Sequence, residues 1–336
     1  MKKVYVQEIL KSGILYHAGS KARIDCDSIL ESMGYQPCNL YISKSRWIRL
    51  FSRIYYLARL SLKLKKVDCC FLQYPYYAYG RFHTFFYKCL LKGYSGKLEC
   101  LLHDIVAYRE GRGFEEELGY LLPKCDKIIV HTPAMKEILI NQFRISHEKI
   151  RILYLFDYLT NSQMNMANPS GKVVVFAGNL SKSLFLKDLS NISNGQLKFH
   201  LYGVYSQHIR ETDNCVYCGK FHPDDVAAMD GDWGLVWDGD SLDTCGGTYG
   251  EYLRINSSHK ISLYLSSGKP VIVWSKSALS TYIVENHLGI AVNSLYEIFY
   301  KLESISDVEK KKIVENVSVY SRKLRDGYFL KTSLNS

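Results

Sequence analysis

Residues 234–274 read GLVWDGDSLDTCGGTYGEYLRINSSHKISLYLSSGKPVIVW. An apolar strand run ends at Trp237 in the acidic turn Asp238-Gly239-Asp240, and a Gly-Gly loop follows. A polar, cationic helix start and a second apolar strand, VIVW at 271–274, complete the stretch. In open α/β sheets, ligands bind outside the carboxyl ends of the strands, where loops of this kind gather. Asn256, His259 and Lys260 fall at or just before the first turn of the helix between the two strands. The exposed N–H groups and positive dipole end of a helix start favour a phosphate there. With Tyr252 and Trp237 in the same loops, the stretch is richer in Gly, Trp, Tyr and Asn than a plain connector needs. It reads as a sugar-nucleotide pocket.

The rest of the chain repeats this alternation. At 336 residues there is room for two domains of about 150 residues each. Strand-like runs at 3–8, 67–73, 97–103, 127–131 and 149–155 alternate with helix-like segments at 20–33, 46–66 and 81–92. Another helix opens at Thr132-Pro133, Thr as N-cap and Pro at the first helical position. The polar stretch TNSQMNMANPSGK, 160–172, has no apolar period and serves as a linker. Beyond it, strand-like runs recur near 173–177, 198–203, 215–218, 234–237, 271–274 and 289–292. The expectation is an α/β protein of two Rossmann-like, doubly wound domains facing a cleft, 1–160 and 173–307, joined by a linker at 161–172. A basic helical region at 308–336 closes the chain.

Composition narrows the class. No apolar run reaches the length of a membrane-spanning helix, and MKKVYVQEIL lacks a signal-peptide core, so a cytoplasmic protein is expected. The ten cysteines lie scattered through apolar segments and read as free thiols. Cys215 and Cys218 form a CxxC with no second pair at metal spacing, which argues against zinc. A formal charge of +10 suits a phosphorylated ligand or an anionic membrane surface. No nucleic-acid-binding motif accompanies it, so nucleic acid is not expected. The 46–66 helix sets Arg46, Arg49 and Arg53 on one side and Trp47, Phe51, Ile54, Ala58 and Leu62 on another. Burial of the apolar stripe is the ordinary use of such a helix; peripheral contact with anionic lipid at the inner face of the cell membrane is the other.

Candidate chemistry sits at strand ends. VVVFAGNLSKS, 173–183, is a strand, a glycine turn and a helix start: Gly178 permits close approach, Asn179 and Ser181 can hydrogen-bond a ligand, and Lys182 can face a phosphate. It is neither a GxGxxG nor a Walker A loop. Tyr202-Gly203 ends another strand and can sit beside a base or ribose. Asp238-x-Asp240 is compatible with a metal that bridges a pyrophosphate. The lysine and histidine that follow can neutralise the same group, which favours the metal-free reading. In the first half, His103-Asp104 ends a buried strand. Asp104 is the candidate base for an acceptor hydroxyl, with His103 and Arg109 as orienting neighbours. His17-Ala18-Gly19, with Lys21 and Arg23 following, is expected to form another cleft-edge loop, and His131 is expected to be structural.

AGSKAR (18–23), LLHDI (101–105), FDYL (156–159), FAGNLS (176–181) and the 234–274 block together carry a resemblance. The chain resembles the bacterial β-1,6-galactofuranosyltransferases of O-antigen assembly, and the related β-glucosyltransferases that extend glycans on serine-rich streptococcal adhesins. The resemblance implies a GT-B fold, an inverting hexosyl transfer from a UDP-sugar, no metal or other cofactor, and a growing surface polysaccharide or lipid-linked glycan as acceptor. It places UDP against Asn179, Tyr202, Gly203, Asn256, His259 and Lys260, and the acceptor on the first domain. It also brings the C-terminal helix back to that domain. Ser258 stands where the resemblance leads us to expect proline; Ser is itself a good N-cap. Galactofuranose is the donor sugar expected first and glucose, delivered to a glycosylated protein, second. A nucleotide-sugar-binding partner subunit without activity is the non-enzymatic rival. A homo-oligomer is compatible with the sequence.

Overall fold

The computed structural model describes residues 1–10, 18–42, 46–76, 83–106, 108, 115–192 and 196–336. They form two compact units, Met1–Leu153 with Leu330–Ser336, and Tyr154–Phe329. The division falls at Leu153, ahead of the polar 160–172 stretch, so that stretch lies inside the second unit.

In the first unit, β1 (Lys3–Leu10), β2 (Gln36–Ile42), β3 (Cys69–Tyr74), β4 (Lys97–Leu102), β5 (Lys127–Val130) and β6 (Ile150–Ile152) make one parallel sheet, ordered β2-β1-β3-β4-β5-β6. Between them run α1 (Ala18–Ser32), α2 (Arg46–Leu64), α3 (His83–Leu90), α4 (Glu115–Leu121) and α5 (Pro133–Phe143). Helices on both faces explain why β3 is buried at every position and reads as a continuous apolar run. The sequence pattern missed β2, QPCNLYI, because Pro37 and Asn39 look like loop residues. Among the described residues it is an edge strand paired with β1, where a residue without an N–H is tolerated. Thr132 caps α5 as expected: its Oγ1 accepts from Met135 N at 3.1 Å, and the helix ends at Arg144 in the left-handed region, φ 53°.

α2 corrects the reading of its apolar stripe. Leu57, Leu60 and Leu64 are buried, and the helix packs on β2 and α3. Phe51, Ile54, Ala58 and Leu62, of the expected core stripe, are on the exposed face, and the side chain of Trp47, its first member, lies outside what the structure describes. The helix has two apolar faces, and the leucine face at 57, 60 and 64 won the sheet.

The second unit carries β7 (Val173–Ala177), β8 (Lys198–Tyr202), β9 (Cys215–Tyr217), β10 (Trp233–Val236), β11 (Val271–Trp274) and β12 (Gly289–Val292). Their order is β12-β11-β10-β7-β8-β9, again all parallel. Counted from β7, this is the 3-2-1-4-5-6 order of a dinucleotide-binding sheet, with its switch point between β7 and β10. Helices α6 (Gly247–Tyr252), α7 (His259–Ser266), α8 (Ser280–Glu285), α9 (Ile298–Glu303), α10 (Asp307–Arg325) and α11 (Tyr328–Asn335) follow in the second half of the chain. The connection after β7 is a 3-10 segment, Leu184–Ile192. α10 packs on α7 within the second unit, and Arg325 donates to the carbonyls of Ser162 and Ser266. Only the last seven residues belong to the first unit. There the buried Lys127 ammonium donates to the carbonyls of Leu334 and Ser336 at 2.6 and 2.9 Å. None of the described helices is long and apolar enough to cross a membrane.

Candidate functional site

The switch point of the second sheet brings together the carboxyl ends of β7 and β10, and α7 starts beside them. β7 runs out at Ala177, whose N–H donates to the Tyr264 hydroxyl at 2.8 Å. Tyr264, on α7, is fully buried and packs directly beneath Gly234 of β10; a Cβ there would lie 2.1 Å from its ring. Burial raises its phenol pKa, so it stays a neutral hydroxyl. One side chain thus ties β7, β10 and α7 together under the loops.

Gly178 follows, its N–H bonded to the Tyr202 carbonyl at 3.0 Å. Gly203, φ +151°, lets β8's exit loop pass so close that a Cβ there would meet the Gly178 oxygen at 2.2 Å. The Lys260 ammonium, from the first turn of α7, reaches across to this loop. It lies 5.0 Å from the Phe176 ring centre and forms an ion pair with Asp238 at the end of β10. A Cβ on Gly178 would come within 3.1 Å of Lys260 Cε. A cation, a helix start and two glycine-lined strand ends therefore share one spot, which is the arrangement that holds a phosphate. Asn256 Oδ1 and Ser257 Oγ, just ahead of α7, are buried and bond no other described protein group. His259 opens the helix, stacked on Tyr158 with ring centres 5.1 Å apart and edge-on to Phe156 at 5.8 Å. The Tyr158 hydroxyl is anchored on the Pro223 carbonyl at 2.6 Å. Ser258 occupies the N-cap with extended backbone, but its side chain makes no capping bond.

Other expected site residues take supporting places. Trp237 is fully buried and its indole N–H donates to the Ser241 carbonyl at 2.9 Å, which braces the 238–241 turn from below. Gly239 permits that turn to run against Cys245; a Cβ would lie 2.5 Å from Cys245 Cα. The Tyr202 hydroxyl accepts from Asp230 N at 2.9 Å, so its carbonyl, not its ring, faces the Gly178 turn. Asn179 Oδ1 caps its own turn by accepting from Lys182 N at 3.2 Å. Ser181 is exposed, Lys182 lies 5.2 Å from the Tyr249 ring centre, and the Tyr252 side chain is buried. Phe176, Tyr264, Phe156 and Tyr158 escaped sequence reasoning as site residues; FDYL and the strand-flanking glycines were the only signals.

In the first unit, His103 and Asp104 follow β4, both half-buried, with His103 N bonded to the Tyr74 carbonyl at 2.8 Å. His103 Nε2 donates to Gln73 Oε1 at 2.7 Å, since an amide oxygen can only accept. Gln73 Nε2 donates to Asp27 Oδ1 at 2.6 Å, and Gln7 Nε2 donates to Asp27 Oδ2 at 2.8 Å. Burial pushes the Asp27 carboxyl up to about 7, against the pull of Gln7, Arg23 and Gln73. Arg23 donates to the carbonyls of Gln73 and Pro75 at 3.0 and 2.6 Å. This buried polar chain fixes the orientation of His103. Gly19 is not in a loop: α1 begins at Ala18, and Lys21, within the helix expected from residue 20, pairs with Asp25 at 2.6 Å, one turn along and equally buried. His17 and Arg109 lie outside the described residues. His131 is buried at the end of β5. Cys215 is buried and Cys218 exposed, and no cluster of three metal-ligating side chains occurs among the described residues.

Comparison with known proteins bears on the family and the fold. Residues 3–152 match the N-terminal domain and 174–336 the C-terminal domain of the glucosyltransferase 3-like family. The chain is 32% identical over 326 residues to the β-1,6-galactofuranosyltransferase WbbI of Escherichia coli (strain K12), covering 94% of this chain and 93% of that protein. It is 26% identical over 251 residues to glucosyltransferase 3 of Streptococcus parasanguinis, covering 73% and 71%. Among solved structures, it resembles a glycosyltransferase from Rickettsia africae (TM-score 0.56, 12% identity, 99% and 97% coverage). A UDP-forming trehalose-phosphate synthase from Burkholderia vietnamiensis is similar at TM-score 0.57, with 11% identity and 100% and 99% coverage. These structural likenesses bear on the fold alone, and they agree with the GT-B reading. The chain belongs to the glucosyltransferase 3-like family of glycosyltransferases.

Proposed function

We propose that the chain is an inverting hexosyltransferase that moves galactofuranose from UDP to a growing, lipid-linked surface glycan in the cytoplasm. The observation that carries the donor half is the convergence of Lys260, the α7 start and the Gly178 and Gly203 turns on one spot. The diphosphate of a UDP-sugar fits that spot, with the α7 N–H groups and Lys260 taking the charge that develops on UDP as it leaves. Asn256 and Ser257 supply further hydrogen-bonding atoms beside it. The acceptor hydroxyl attacks the anomeric carbon and Asp104 takes its proton, which forms the new glycosidic bond as the bond to UDP breaks. His103, held by Gln73, orients the acceptor or the base.

No metal is needed in this reading, because Asp238 is already paired with a lysine that can itself neutralise phosphate. Galactofuranose is preferred because the likeness to the galactofuranosyltransferase spans 94% of the chain at 32% identity. Glucose is the second reading, supported by the streptococcal relative at 26%. The test is thermal stabilisation by UDP, UDP-galactofuranose, UDP-galactopyranose and UDP-glucose, each with and without EDTA. Selective stabilisation by UDP-galactofuranose that survives EDTA is the expected result. Selective stabilisation by UDP-glucose would transfer the assignment to the glucosyl donor. No shift with any uridine nucleotide would overturn the donor site.

A further inference from the structure

The outward face of α2 carries an apolar stripe in the most basic part of the chain. Phe51, Ile54, Tyr55 and Leu62 are 70%, 60%, 57% and 63% exposed. Their spacing, i, i+3, i+4 and i+11, with Ala58 at i+7, places them on one side of the helix. Leu57, Leu60 and Leu64 fill the opposite side and hold the helix to its unit. The stripe is therefore surplus to the fold. Arg59, Lys63, Lys65 and Lys66 are exposed at its edge and end. From residue 32 to residue 67 the sequence has no Asp or Glu, while Lys44, Arg46, Arg49, Arg53, Arg59, Lys63, Lys65 and Lys66 are all cationic.

We propose that this face of α2 docks on an anionic lipid bilayer, lying in the plane of the headgroups with Phe51, Ile54, Tyr55 and Leu62 in the acyl boundary. Two features favour lipid over other occupants. A second copy seated by two-fold symmetry would set these cations against themselves with no carboxylate on the helix to answer them. A nucleic acid would answer the charge but presents charged phosphates on its outside, not an apolar surface that could cover a stripe running from Phe51 to Leu62. An anionic bilayer answers both, since it takes apolar side chains below a negatively charged surface. The inference does not depend on which sugar is transferred.

The experiment is flotation of the full chain with vesicles of phosphatidylcholine alone, or of phosphatidylcholine with about one third phosphatidylglycerol, at low and high salt. The wild type should float only with the anionic vesicles, and raising the salt should weaken binding about tenfold or more. The double variants F51D/L62D and R59Q/K63Q should each reduce the bound fraction about tenfold while keeping the wild-type melting temperature. Absence of flotation, flotation equal on both vesicle types, or variants that float like wild type would overturn the proposal. Sedimentation velocity supplies the remaining arm. An oligomer that F51D/L62D converts to monomer, with no lipid binding by either protein, would make the face a contact between copies instead.

Discussion

Lys260 and Asp238 form an ion pair at the mouth of the second sheet, joining the first turn of α7 to the end of β10. Both are partly exposed, so the pair itself adds little stability. Its consequence is positional: the ammonium is held over the Gly178 turn, where a diphosphate would take it over. Lys260→Met should weaken UDP binding by about 10- to 100-fold, the range expected for losing a charge-assisted hydrogen bond. Asp238→Asn removes the competing carboxylate and should leave UDP affinity equal or tighter. Calorimetric titration of both variants checks this; a wild-type affinity in Lys260→Met would remove the lysine from the donor site.

Asp104 separates binding from chemistry. It lies in the first unit, after β4, whereas the proposed nucleotide groups lie in the second. Asp104→Asn should therefore keep UDP stabilisation unchanged and lower turnover by about 10²- to 10⁴-fold, the usual weight of a general base. Turnover within a few fold of wild type would assign the base elsewhere.

Tyr264 acts on the exit of β7 from beneath. Tyr264→Phe keeps the ring under Gly234 but leaves the Ala177 N–H buried without its acceptor. Such an orphan costs about 1–3 kcal/mol. A lower melting temperature with weakened UDP binding is expected, and a fully neutral substitution would show that the hydroxyl does not hold the β7 exit.

The strand ends were legible because parallel strands buried on both faces leave uninterrupted apolar runs, as in VIVW and VVVFA. The glycines at 178, 203 and 239 were legible too, since close approach excludes a Cβ. What stayed hidden depended on contacts distant in sequence. No local pattern announces that Tyr158 stacks on His259, or that Tyr264 reaches Ala177 87 residues away. The two apolar faces of α2 show the same limit from the other side: periodicity finds a stripe, but the neighbouring β2 decides which stripe is buried. Gly19 was misplaced because AGSKAR reads equally as a glycine loop or a helix start, and the Lys21–Asp25 pair that anchors the first turn is settled only in three dimensions.

Glu117 provides a pH-dependent test of the first unit. It is buried on α4, and burial pushes its carboxyl up to about 8 from an ordinary 4.5. Between those values the folded chain holds a proton that the unfolded chain has released, so stability falls as pH rises from about 4.5 to about 8. The limiting slope is about 1.4 kcal/mol per pH unit. Gln is neutral throughout and nearly isosteric. Glu117→Gln should match wild type near pH 4.5 and become progressively more stable than wild type toward pH 9. Asp27, raised to about 7 by burial, acts in the same sense, so the variant keeps a smaller residual decline below neutrality. Melting curves of both proteins across this range decide the matter. A difference that stays constant with pH would mean that Glu117 titrates alike in the folded and unfolded chain.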